Sequence, residues 1–180
     1  MVTPLAADTV APRSILFIGG TGVISAAAAE RAVALGHRLT ILNRGQSTRP
    51  IPEGTEVLHA DVRDAAAVRE VLGSREFDAV ADFISYTPDQ AQTSMELFRE
   101  RTGQYVFISS ASAYQKPPSR VPVTESTPLR NPFWQYSRDK IACEDVLVEA
   151  YRDRGFPVTI VRPSHTYDRT KIAMVGAWTD

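Results

Sequence analysis

The sequence predicts a doubly wound α/β domain built on one parallel sheet, and three observations carry that prediction. Apolar runs of strand length alternate with stretches of helical period along the chain. The strand runs are apolar on successive residues, as expected of strands covered on both faces and linked by right-handed crossovers. A glycine cluster follows the first run at once, where a tight strand-to-helix turn is required.

Taken in order, residues 14–18 make the first strand, apolar after Ser14, and 23–35 make an alanine-rich helix closed by Gly36. The second strand spans 39–42 and the third 56–60, followed by a helix over 64–72. Residues 77–84 read as the fourth strand. Pro88 stands at a first helical position behind Thr87 as N-cap, so a helix runs over 88–101, before Gly103. The fifth strand covers 105–109. A proline-rich loop occupies 115–132, a long helix over 134–154 stops at Gly155, and the sixth strand covers 158–161. Residues 1–13, with Pro4, Ala6, Ala7 and Pro12, read as a mobile extension.

Composition narrows the function classes. A chain of 180 residues suits one domain and can fold without a disulfide or metal staple. With 20 basic against 21 acidic residues, no global field draws in nucleic acid or an anionic membrane. Cys143 is the single cysteine, which excludes an intrachain disulfide and fits a reducing, cytoplasmic setting. It falls in a helical pattern with no histidine near it in sequence, so it reads as a buried structural thiol. The N-terminus lacks the basic start and apolar core of a signal peptide, and no apolar run nears the ~20 residues of a membrane span. His37 and His59 have no partner at ligand spacing, so no metal is expected.

The first strand runs into Gly19, Gly20, Thr21, Gly22, Val23, Ile24 and Ser25. Glycines there let a pyrophosphate approach the backbone N–H groups, and the N-terminus of the next helix favours an anion. Ser25 stands where a third glycine often sits and is small enough to keep helix and strand close. A carboxylate at the end of the second strand would bind both ribose hydroxyls and repel a 2′-phosphate. Here that end carries Asn43 and Arg44, a neutral amide and a planar cation suited to phosphate, so NADP is expected over NAD. The competing reading of Arg44 is an exposed residue of a solvated loop. At the end of the third strand, Asp61 and Val62 suit an adenine, although Asp61 reads equally as the cap of the next helix.

Tyr136 and Lys140 are four residues apart in the long helix and therefore share a face. A free tyrosine is protonated at neutral pH; a nearby ammonium is expected to lower its pKa and permit proton exchange with a substrate oxygen. The fifth strand ends in Ser109, Ser110, Ala111 and Ser112, where a hydroxyl can bond the reacting oxygen at the sheet's carboxyl edge. Phe133 and Trp134 open the long helix and read either as a wall of the cleft or as packing under the loop.

In this combination and order, the chain resembles an extended or atypical short-chain dehydrogenase/reductase of the NAD-dependent epimerase/dehydratase kind. The resemblance runs over 14–167 and rests on Gly19 to Ile24, Asp61-Val62, Ser109 to Tyr114, Tyr136 to Lys140 and Arg162-Pro163. It implies a Rossmann-like NADP-binding domain over 14–168. Tyr136 would be the acid/base, and Lys140 would hold the nicotinamide ribose while tuning Tyr136. Ser110 would orient the substrate oxygen, with Ser112 the lesser candidate, and Pro163 to His165 would border the nicotinamide. Ile84, Ser85, Tyr86 and Ser109 join the expected cofactor neighbours. The fourth strand is similar to an atypical branch that includes chloroplast stem-loop-binding proteins; its Asp82 reads as a local hydrogen-bond acceptor without a catalytic role. Ala111 and Ser112 occupy the places where nucleotide-sugar 4,6-dehydratases carry an Asp-Glu pair, so dehydration is disfavoured. The resemblance also implies a small substrate-binding domain after the sixth strand, of which 169–180 would be the truncated start. The expected function is an NADP-dependent reductase or epimerase acting on a carbonyl or secondary alcohol, a nucleotide sugar among the candidate substrates, and a homodimer is compatible with it. The alternatives are a non-enzymatic NADP-responsive regulator touching RNA and an inactive fragment keeping the fold.

Overall fold

A computed structural model describes residues 11–167. Six parallel strands form one sheet in the order β3-β2-β1-β4-β5-β6. They are β1 (Ser14–Ile18), β2 (Arg38–Asn43), β3 (Glu56–His59), β4 (Ala79–Asp82), β5 (Tyr105–Ile108) and β6 (Val158–Val161). Four α-helices join them: α1 (Val23–Ala34), α2 (Ala65–Leu72), α3 (Pro88–Phe98) and α4 (Gln135–Arg154). The strand order reverses between β1 and β4, the switch point at which open α/β sheets form crevices.

Alternation of side chains divides the core in two. Leu16, Ile18, Val80, Tyr105 and Phe107 point to one face and pack with α2, α3 and α4 through Val68, Met95, Phe98 and Leu147. Phe17, Ile41 and Ala81 point to the other face and meet α1 at Ala29. Each fully buried large apolar side chain contributes about 1.5–3 kcal/mol. Register matters more for function. Ile18 pairs with Leu42 and with Asp82, Asp82 with Phe107, and Ile108 with Val161. The carboxyl ends of the strands are thereby level, and the segments after them emerge along one edge.

The boundaries differ from expectation where polar contacts override the apolar pattern. The fourth strand is confined to Ala79–Asp82. Phe77 forms an isolated bridge with Thr102, and after Asp82 the chain turns because the backbone N–H groups of Ile84 and Ser85 donate to Asp82 Oδ1. Helix α3 stops at Phe98, and a short 3-10 turn at Ala111–Ala113, which the sequence did not suggest, follows β5. Trp134 is the N-cap of α4 rather than its first residue. Among the described residues no helix is long and apolar enough to cross a membrane. Most of the expected extension and the region at 169–180 lie outside the described residues.

Candidate active site

The turn after β1 is shaped by backbone demands. Gly19 and Gly20 take φ of 109° and 75°, and a Cβ on Gly20 would stand 2.7 Å from Ile41. Only glycine meets both conditions. Gly22 then caps α1, and its N–H donates to Ser25 Oγ at 2.8 Å. Ser25 is therefore more than a small residue in a glycine's place, since its hydroxyl closes the turn.

Gly19 and Thr21 line a cavity of about 340 Å³ that also takes in Asn43, Arg44, Asp61 and Val62. Asn43 Oδ1 accepts from Gly45 N at 2.7 Å and so bends the loop that carries Arg44. Asp61 is not the helix cap. That role falls to Asp64, which accepts from Ala66 and Ala67 N–H, while Asp61 accepts from the backbone N–H and guanidinium of Arg63. Hydrogen bonds from the Arg63 side chain and backbone hold the Asp61 carboxyl at about 2, so it stays ionised. Gly20 lies behind the cavity against Ile41. Val23 lines a neighbouring hollow beside Ala26 and Arg49 instead.

A second cavity, of about 580 Å³, contains Ile24, Ser110, Tyr136, Lys140, Pro163 and His165. Ile84 and Tyr86 line the first cavity, and Tyr86 lines the second as well, so the two are adjacent. Tyr136 and Ser110 line this cavity together. Ser110 is held in turn: Ser137 donates to Ser112 Oγ at 2.8 Å, and Ser112 Oγ lies 2.9 Å from Ser110 Oγ. Asn131 Nδ2 donates to the Ser112 carbonyl at 2.8 Å. Ser112 thus supports Ser110. Pro163 is anchored by its carbonyl, which accepts from Ala111 N at 2.9 Å.

Two residues with expected cofactor contacts spend their side chains elsewhere. The Ser109 hydroxyl donates to Glu144, although Ser109 lines the second cavity. Ser85 Oγ donates to Asp82, and its carbonyl accepts from Lys140 Nζ at 2.7 Å. Lys140 is 1% exposed and donates also to the Ile108 carbonyl at 2.8 Å. Its ammonium lies 5.9 Å from the centre of the Tyr136 ring. The expected lowering of the Tyr136 pKa is absent: burial raises it, with the Ser110 hydroxyl opposing. Burial likewise lowers the Lys140 pKa. In this state Tyr136 is a proton donor.

Three residues around the site have no role assigned from sequence, and a fourth, Trp134, has two competing ones. Lys116 lines the second cavity. Gln90 lines the first, and its Oε1 accepts from Tyr86 N at 2.8 Å; the Thr87-x-x-Gln90 spacing, a capping-box pattern, was its signal. Trp134, weighed between wall and packing, lines the second cavity with its ring centre 4.8 Å from that of Tyr136. Glu144, one turn beyond Lys140, is 1% exposed and binds the Arg162 guanidinium through both carboxylate oxygens. Arg162 also donates to the Tyr114 hydroxyl at 3.1 Å. Among the described residues no group of three or more His, Cys, Asp or Glu side chains could hold a metal ion.

Known proteins share this fold and part of this sequence. A putative UDP-arabinose 4-epimerase 2 of Arabidopsis thaliana is 27% identical, the match covering 82% of this chain and 42% of that protein. The 2'-dehydrokanamycin reductase of Streptomyces kanamyceticus is 28% identical, over 85% of this chain and 43% of the reductase. The solved structure of UDP-glucose 4-epimerase from Bifidobacterium longum, in complex with NAD+ and UDP, matches with a TM-score of 0.72 at 19% identity. That match covers 82% of this chain and 52% of the solved one, and it shows the shared fold. The chain spans less than half the length of the two curated relatives. The family model for the NAD dependent epimerase/dehydratase family matches residues 15–172, and the chain belongs to that family.

Proposed function

We propose that this chain binds NADP along its two adjacent cavities and serves an enzyme that interconverts a carbonyl and a secondary alcohol, by reduction or epimerisation, on a sugar or nucleotide sugar. The observation that carries the proposal is the meeting of Ser110, Tyr136 and Lys140 in one cavity, which shares Tyr86 with the cavity at the glycine turn.

The residues present fit the cofactor. Gly19, Thr21 and the first-turn amides of α1, which have no helical partners, would hold the pyrophosphate. Arg44 would take the 2′-phosphate, and no carboxylate ends β2 to repel it. Asp61 and Val62 would meet the adenine, and Lys140, Pro163 and His165 the nicotinamide half. Bound there, the cofactor supplies hydride exchange with the reacting carbon.

The chain's own residues handle the oxygen and its proton. Tyr136, neutral because burial raises its pKa, gives its proton to a carbonyl oxygen as that oxygen gains charge, and recovers one from the alcohol in the reverse sense. Ser110, held by Ser112, donates to the same oxygen and fixes its position. The buried Lys140 ammonium favours the phenolate left after proton transfer. Ala111 and Ser112 bring no carboxyl group for loss of water, which leaves reduction and epimerisation. The named relatives include an epimerase and a reductase, so both outcomes belong in the assay. Titrating NADPH and NADH into the protein, then following cofactor consumption or isomer formation with keto sugars and UDP-sugars, tests the reading. Failure to bind either cofactor would overturn it.

A further inference from the structure

Asp82 ends β4 with no exposed surface. Its carboxylate accepts four hydrogen bonds. Oδ1 takes Ile84 N at 2.9 Å and Ser85 N at 3.0 Å; Oδ2 takes Ser85 Oγ at 2.6 Å and the Tyr105 hydroxyl at 2.7 Å. Because Tyr105 gives its proton to Asp82, Ser94 Oγ, 2.7 Å away, donates to the Tyr105 oxygen. A buried carboxylate needs a compensating cation as well as donors. Lys140 is the buried lysine of the same region, and its Nζ donates to the carbonyl of Ser85, the residue whose amide and hydroxyl Asp82 holds.

We propose that Asp82 is the positioning residue for Lys140: it fixes the turn whose Ser85 carbonyl receives the ammonium, and its negative charge balances that ammonium inside the fold. The groups around Lys140 support the assignment. From α4, Glu144 is committed to Arg162 and Ser109, and the Cys143 thiol is neutral because burial pushes it up to about 12. The rings of Tyr86, Phe107 and Tyr136 lie 4.9, 4.6 and 5.9 Å from Nζ and carry no net charge. The Tyr105 hydroxyl is neutral and donates to Asp82. Burial lowers the Lys140 pKa, and Asp82 leads the influences that raise it, ahead of Cys143 and Glu144. Asp82 thereby does more than close a turn, and the local role expected from sequence is half of its work.

The proposal rests on the place of Lys140 in the proposed reaction, but its test needs no cofactor. The chain has three lysines, Lys116, Lys140 and Lys171, so ¹⁵N-lysine NMR resolves Lys140, assigned by the signal lost in Lys140→Arg. A pH titration of the free protein should show the Lys140 midpoint moved to lower pH in Asp82→Asn, with Lys116 unmoved. An unchanged Lys140 midpoint in a folded Asp82→Asn overturns the proposal. If Asp82→Asn does not fold, Asp82→Asn/Lys140→Met decides it: recovery of the fold shows that the two charges are coupled, and no recovery overturns the proposal. NADPH titration of the wild-type protein separately tests whether the site takes the cofactor.

Discussion

Arg44 and Asp61 line one cavity with opposite charges, and each is set by its immediate neighbours. Arg63 already occupies Asp61, which leaves Arg44 as the cation for a 2′-phosphate. Charge-assisted hydrogen bonds are worth roughly 1.5–3 kcal/mol, or about 10- to 150-fold in affinity. Arg44→Ala is expected to weaken NADPH binding by that range and to spare NADH, as read from parallel titrations; equal losses would remove the 2′-phosphate assignment. Tyr136→Phe keeps the ring that packs near Trp134 and Tyr86 and deletes only the hydroxyl, in the cavity that Ser110 also lines. Turnover should fall by about 100-fold or more, with NADPH affinity retained. Turnover near the wild-type rate would exclude Tyr136 as the acid/base.

At the scale of elements, Asp64 and Asp61 separate stability from binding within four residues. Asp64 accepts from two first-turn amides of α2, so Asp64→Ala should cost about 0.5–2 kcal/mol, seen as a lower denaturant midpoint at unchanged slope. Asp61 pairs with an arginine whose side chain is 59% exposed, and surface pairs add little to stability. Asp61→Ala should leave the midpoint nearly unchanged and weaken both NADPH and NADH. Equal midpoints for the two variants would refute the division of roles. The sequence could not make this division, because both aspartates stand where a cap is plausible. Likewise, Phe83 and Ile84 continue the apolar run of β4, while the strand ends because Asp82 holds the Ile84 and Ser85 amides, its carboxylate bound also by Tyr105, 23 residues away. That Ser110, Tyr136 and Lys140 meet in one cavity was legible because helical spacing and strand ends are local rules. Glu144 was not, because its meaning depends on Arg162, 18 residues later on β6's exit.

For the whole molecule, Cys143 reports on the link between core and site. It has no exposed surface and lies in the core cluster with Leu16, Val80, Phe107 and Leu147. Its thiol is held up at about 12 by burial. Alkylation requires both access and thiolate, and the folded molecule denies both. Cys143 becomes reactive when α4 separates from the sheet, and the same helix carries Tyr136 and Lys140. A ligand that binds only the closed form must then protect the thiol. Because the chain has a single cysteine, uptake of an alkylating reagent has one source. In native buffer the rate should fall far below that of a free thiol and rise with denaturant along the unfolding curve. If the two cavities bind NADPH, a free concentration 100 times the Kd should slow labelling by roughly 100-fold, the mass-action limit for a ligand without affinity for the open state. Rapid labelling of the native protein would refute the burial of Cys143. Slow labelling that saturating NADPH leaves unchanged would show that α4 opens without disturbing the cofactor site, and that the helix and the cavity are not one cooperative unit.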